Sequence, residues 1–338
     1  MTDIADFRHI VTMTDQYGTF EHADHATARQ EHGYCVDDMA RLLLVTSREP
    51  RPSPLVAGLA QRSLRFLAKA QGPTGRTRNR RSANGRWHGR RGVDDCWGRS
   101  VWALGTAACT DGTAAQSARS FFDHAAQPRS RSPRAMAFAA LGAAAVLDRD
   151  PRATRARALL EDAVVLLLGV GGGTSSAWEW PEPRLSYANA ALPEALLAAG
   201  HSLHRPELVE GGLELLGWLL DRETRDGHLS VTPAGGASPT DAGPGFDQQP
   251  IEVAAMADAS ARAAALTGER RWIDGVRMAG AWFDGDNDVD VVMWDPTTGG
   301  GYDGLQVDGP NLNQGTESTL ALISTRQQVR LLDRQPAP

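Results

Sequence analysis

The spacing between helices limits this chain's fold more than any other feature. Helical periodicity runs over 34–48, 54–71, 95–109, 113–126, 133–148, 152–169, 187–203, 206–222, 248–266, 270–284 and 312–332, rich in alanine and leucine and poor in β-branched runs. The links after odd-numbered segments are tight: REPRPS (48–53), TDG (110–112), DRDP (148–151), HRP (204–206) and TGE (267–269). Most links after even-numbered segments are long: 72–93, 170–186, 223–246 and 285–310. Tight turns at one end and elaborate loops at the other are the rhythm of αα-hairpins. Hairpins recurring roughly every 40 to 65 residues predict a closed ring or a solenoid. The expected architecture is all-α: a single domain over 1–338, an (α/α) toroid of five or six helical hairpins with its long loops on one face. The strand-like pieces HLSV (228–231) and DVVMW (290–294) are short and are expected in loops.

Composition removes several function classes. With 338 residues and 41% hydrophobic content the chain can bury a large core. A formal charge of -6 argues against a nucleic-acid partner. Cys35, Cys96 and Cys109 are odd in number and form no CxxC pair, so neither a zinc site nor a disulfide framework is indicated. His22 and His25 in EHADH lack metal-ligand spacing, and no glycine-rich phosphate loop follows a strand. No metal and no cofactor are expected. The start MTDIADFRHI lacks the character of a signal peptide, and the most apolar stretch, AVVLLLGV at 163–170, is too short to span a bilayer. The expectation is a soluble cytoplasmic protein with no membrane partner. Oligomeric state is left open.

The odd helices begin with unusual chemistry. Their N-termini read YCVDDMAR, DDCWGRS, SPRAM, SYANAALPEA, DQQPIEVAAM and NLNQGTEST, whereas even helices start plainly, as in SPLVAG, PRATRA and RPELVE. If odd helices form an inner ring, these polar ends meet the long loops around one central cavity, where a site is expected.

Within HGYCVDDMAR (32–41), Asp37 or Asp38 suits a helix N-terminus, and Asp37 with Arg41 has ordinary i,i+4 ion-pair spacing. The pattern returns in GVDDCWGR, where Asp95 and Arg99 are also i,i+4, which suggests a shared polar floor beside Tyr34 and Trp97. A DDxxD magnesium site is excluded because position 41 is arginine. In FDQQPIE (246–252), Pro250 fits a first helical turn, and the uncharged VAAMA after Glu252 suggests an inward carboxyl with raised pKa. Asp247, Gln248 and Gln249 precede it, and Tyr187 and Asn189 open the helix before. Nine tryptophans against four tyrosines and eight phenylalanines is a bias toward indole. At least one of Trp178 and Trp180, in a loop beside Glu179, is therefore expected to stack on sugar rings, with Trp87 and Trp97 nearby in sequence to the second motif. The stretch TRNRRSANGRWHGRR (77–91) holds Arg78, Arg80, Arg81, Arg86, Arg90 and Arg91 and is expected to be a mobile lid. NLNQGTEST adds the hydroxyl-binding types Asn311, Asn313, Gln314 and Glu317.

Taken in order, HGYCVDDMAR, DDCWGRSVWALG, SYANAALPEALL, FDQQPIE and NLNQGTEST resemble an (α/α)-toroid domain of carbohydrate-active bacterial proteins, some fused to glycosyltransferases. At this size the chain resembles the methylmannose polysaccharide hydrolases of mycobacteria and related actinomycetes, over about residues 15 to 325. That resemblance implies an endo-acting glycosidase that cuts internal α-1,4-mannosidic bonds of a cytoplasmic, partly methylated mannan, so the partner is an oligo- or polysaccharide. By motif the family's catalytic acids fall on Asp37 and Glu252, with Asp38 as rival to Asp37. An inverting mechanism is expected, with Asp37 as general acid and Glu252 as general base; Arg41 paired with Asp37 would argue for the reverse order. The alternatives are a sugar epimerase or polysaccharide lyase on the same toroid, and a non-catalytic glycan-binding module serving a glycosyltransferase.

Overall fold

A computed structural model describes residues 5–170 and 178–334. Twelve helices lie within these residues: α1 (Arg8–Thr12), α2 (Val36–Ser47), α3 (Pro54–Ala70), α4 (Asp95–Ala108), α5 (Thr113–Ala125), α6 (Pro133–Arg149), α7 (Thr154–Leu168), α8 (Ala191–Leu203), α9 (Pro206–Arg222), α10 (Pro250–Thr267), α11 (Arg270–Phe283) and α12 (Thr316–Asp333). All eleven expected helices are present, and α1 is an addition. Local chemistry explains several starts. Ser53 and Ser132 accept hydrogen bonds from Val56 and Ala135 as N-caps, each followed by proline at the first helical position. Gly268 ends α10 in the left-handed conformation at φ 70°.

Each of α2, α4, α6, α8, α10 and α12 packs on the next, and α12 returns to α2, so six inner helices close a ring. Helices α3, α5, α7, α9 and α11 lie outside them, and the short α1 packs on α12. The sixth hairpin is thus completed by the two ends of the chain. The split between layers is written in composition. Helix α6 buries an almost unbroken run from Arg134 to Ala144, as a helix covered on all sides must. Helix α3 buries one stripe, Val56, Leu59, Ser63, Leu64, Phe66, Leu67 and Ala70. Glycine sets the spacing between α4 and α6: a methyl group on Gly98 would stand 2.2 Å from the Ala135 carbonyl, and one on Gly105 2.3 Å from that of Gly142.

The inner helices all begin at one end. Short antiparallel ladders tie the long loops together there: Tyr34–Cys35 pairs with Arg80–Arg81, which pairs with Trp87–His88. Leu185 bridges to Ala237, and Gln248 bridges to both Pro233 and Leu305. The long loops therefore gather on one face, as expected; the part of 170–186 that runs through 171–177 lies outside the described residues. His228–Leu229 forms a two-residue strand with Thr224–Arg225, whereas 290–294 contributes only one bridge, Trp294 to Gly301. No described helix is long and apolar enough to cross a membrane.

Candidate active site

The polar helix starts meet at the centre of the loop face. Glu252, in the first turn of α10, is only 4% exposed. Its Oε1 accepts from the backbone N–H of Ala188 at 2.6 Å and its Oε2 from that of Asn189 at 3.3 Å. Ala188 holds the left-handed conformation at φ 46°, which an alanine rarely adopts and which turns these two N–H groups toward the carboxyl. This turn also makes α8 start at Ala191, four residues later than periodicity suggests. Burial pushes the Glu252 carboxyl up to about 7, against the opposing pull of the two amides and of Arg134.

Opposite partners hold the aspartate doublet. Asp38 is buried, accepts from Arg41 Nη1 at 2.8 Å and from the Cys35 thiol at 3.1 Å, and burial pushes its carboxyl up to about 7. Arg41 reaches across to Glu317 on α12, at 2.5 Å. Asp37 instead lies 3.4 Å from Arg99 Nη1, and its side chain keeps 17% exposure. Arg99 also lies 3.5 Å from Asp95 and rests over the Phe138 ring at 4.2 Å. The expected i,i+4 pair Asp37–Arg41 is corrected: Arg41 takes Asp38 at i,i+3, because Arg99 from the neighbouring helix takes Asp37. The Asp95–Arg99 spacing does form its ion pair. Asp95 accepts from the Tyr187 hydroxyl, and burial followed by that charge pushes the phenol up to about 12. Tyr187 is 45% exposed, with the Arg134 guanidinium 4.9 Å from its ring centre.

The expected stacking tryptophans are corrected. Trp178 and Trp180 are 2% and 0% exposed and pack against Trp218. Their N–H groups both turn to Glu182, on its carbonyl at 2.8 Å and its carboxylate at 3.2 Å. The ring faces are consumed by protein and offer none to a sugar. Trp97 is also fully buried, donating to the Ala125 carbonyl, and Tyr34 is buried on Phe20 and donates to Asp15. Gln248 and Gln314 are buried in loop networks, with Asp288, Trp282 and the Gly245 carbonyl, and with Thr298 and Asp295. These two amides fix loops instead of reaching a ligand. Asn313 accepts from the His25 N–H, Asp247 is half-buried near Gln306, Gln249 is the N-cap position of α10, and Glu179 is exposed. The arginine-rich segment is a folded hairpin in place of a loose lid: Arg80 pairs with Glu21, and Arg81 lies over Tyr17, Phe66 and Trp87. Arg86, Arg90 and Arg91 stay exposed on it.

Reading the sequence missed Arg134, the second residue of α6. It is 5% exposed and clamps Glu182 through two parallel bonds of 2.7 and 2.8 Å. It also donates to the Tyr187 carbonyl and, at 3.2 Å, to Asn189 Oδ1. An arginine in the alanine-rich start SPRAM of an inner helix was the available signal.

Donor atoms of Glu21, Cys35 and Asp38 lie within 4.8 Å of one another. Arg80 and Arg41 already neutralise the two carboxylates, and burial pushes the Cys35 thiol well up, so these residues fit an ion-pair network better than a metal. Between the inner helices lies a cavity lined by the floor residues Arg41, Arg99 and Ala188 together with Leu44, Trp102, Phe138, Ile251, Leu320, Glu194 and Asp258. Its volume of about 50 Å³ is enough for a few waters.

No family model and no curated protein sequence matches the chain. Solved structures do. A sugar epimerase from a ruminal bacterium overlays with a TM-score of 0.76 at 10% identity, covering 98% of this chain and 96% of that one. Cellobiose 2-epimerase from Bacillus thermoamylovorans gives 0.72 at 11% identity, covering 98% and 96%. The GH76 α-mannanase of Bacteroides thetaiotaomicron gives 0.67 at 9% identity, covering 96% and 93%. At such identities the likeness is one of architecture: the chain has the all-α toroid fold over its whole length.

Proposed function

We propose that this protein is a glycoside hydrolase acting on a neutral glycan, with Glu252 and Asp37 as its two catalytic carboxyl groups. The observation that carries the proposal is the contrast between them. Glu252 is buried and pushed up to about 7, so it holds a proton near neutrality. Asp37 faces the Arg99 guanidinium and keeps some exposure. Two carboxyl groups in opposed environments are what glycoside hydrolysis requires. The environments favour Glu252 as general acid and Asp37 as base, the reverse of the order expected from the sequence. Asp38 is less suited to contact substrate, because Arg41 and Cys35 occupy it.

The floor's charges bear on the substrate. Arg41 faces Asp38 and Glu317, Arg99 faces Asp37 and Asp95, and Arg134 faces Glu182. Each of these three cations is already matched, so on the floor itself a uronate would meet carboxylates and paired arginines. This supports a neutral sugar over the acidic substrates of most lyases. Within neutral glycans, the sequence resemblance favours endo-cleavage of α-1,4-linked, partly methylated mannan, and the fold shared with an α-mannanase is compatible with it. The sugar epimerase reading draws on the full-length overlap with two epimerases. Incubation with α-1,4-mannooligosaccharides, methylated and plain, tests the proposal. Shorter oligosaccharides, with the first-formed anomer inverted in proton NMR, are the expected result. Deuterium uptake from heavy water into an uncleaved sugar would sink it in favour of epimerisation.

A further inference from the structure

We infer that Arg134 is a positioning residue of this site: it clamps the turn at 187–189 and thereby sets where the Glu252 carboxyl stands and how readily it holds its proton. The inference rests on the catalytic reading of Glu252 given above.

Arg134 touches the turn from three sides. It donates to the Tyr187 carbonyl and to Asn189 Oδ1, and it lies against the Tyr187 ring. Glu182 fixes the guanidinium from behind with two parallel bonds. Such a planar fork holds one orientation, which an ammonium on a flexible stem does not. The residue between those contacts is Ala188, held at φ 46°. A non-glycine residue left to itself relaxes from that conformation, so neighbours must impose it. With the turn held, the N–H groups of Ala188 and Asn189 both point at Glu252. The bond to Arg134 also fixes the Asn189 amide, since its Oδ1 accepts there and from Ser186, while its buried Nδ2 has no hydrogen-bond partner.

The charged groups acting on Glu252 include Arg134, Glu317 on α12 and Glu223 at the end of α9. Of these three, Arg134 alone is cationic and alone also holds the turn. Arg134→Gln removes both charge and clamp; Arg134→Lys keeps the charge and loses the fork. Labelled-glutamate carbon NMR titration reads Glu252 directly, its signal assigned by its loss in Glu252→Gln. The expected result is a midpoint that rises above about 7 in both variants: weakened N–H bonds favour the protonated form in each, and Arg134→Gln adds the loss of the cation. On α-1,4-mannooligosaccharides kcat should fall by at least ~30-fold, and Glu182→Gln should show a smaller change in the same direction. A Lys variant with an unmoved midpoint and wild-type kcat would mean that only charge matters and would overturn the positioning role. Should Arg134→Gln fail to fold, the Lys and Glu182→Gln proteins decide alone. The titration needs no substrate, so it stands apart from the catalytic reading, which fails instead if Glu252→Gln retains full activity.

Discussion

Glu252 sits 2.6 Å from the backbone nitrogen of Ala188, on a turn contributed by another inner helix. A buried carboxyl at the start of α10 is thus held by a strained alanine ahead of α8, and neither residue has that role without the closed ring. The arrangement raises the proton affinity of Glu252 through burial and limits the rise through two amides. A group that changes charge near neutrality is suited to proton transfer.

Glu252→Gln should cost at least ~100-fold in kcat, because the amide keeps the size of the side chain but exchanges no proton at neutral pH. In the wild type kcat should decline as pH rises through about 7, if Glu252 acts in its protonated form. A pH profile of kcat on α-1,4-mannooligosaccharides checks both statements. An activity that instead rises through neutrality would return Glu252 to the role of base.

Asp37→Asn and Asp38→Asn should part company. The first should lose turnover with little change in Tm, since Arg99 keeps Asp95 as partner. The second should lose stability, because it removes the buried partner of Arg41 and leaves it the more exposed Glu317. Thermal melts beside kcat measurements tell them apart, and a stable but inactive Asp38→Asn protein would transfer the catalytic role to Asp38.

Tyr187 is the exposed aromatic of the floor, so Tyr187→Ala should raise KM for oligosaccharides several-fold while Tm changes little. Trp178→Ala should behave oppositely. It empties a buried site against Trp218 and should cost about 3–5 kcal/mol of stability. Denaturant titration with paired KM values separates the cases. A Trp178→Ala protein of normal stability and raised KM would restore the indole as a sugar contact.

Glu223 is buried, accepts from Thr232 at 2.5 Å, and is pushed up to about 8 by burial and then by Glu252. Its folded pKa lies above the ordinary value of 4.5, so its contribution is full below that pH and is lost as pH rises toward about 8. The Tm of wild type should therefore fall between these limits, and Glu223→Gln should flatten the fall. Parallel pH–Tm curves for the two proteins would show that Glu223 is not the group responsible.

The sequence by itself determined the helices, their alternation into two layers and the polar end of the ring. Each of these is local: a 3.6-residue period, a serine–proline start, a tight or long link. It also marked Asp37, Asp95, Glu252 and Glu317, because charge at the head of an otherwise apolar helix is conspicuous. What only the tertiary structure decided is which group meets which. Asp37 and Asp38 precede Arg41 by four and three residues, both ion-pair spacings, and the choice between them follows from Arg99, 62 residues from Asp37 along the chain. Trp178 and Trp180 lie in a polar loop that does not disclose which way its indoles turn; Trp218 and Glu182 turn them inward. Arg134 is one arginine in an alanine-rich helix, and its reach to Glu182, Tyr187 and Asn189 exists only once the ring closes. Burial and pairing depend on contacts between residues far apart in the chain, and those contacts decide the chemistry of the site.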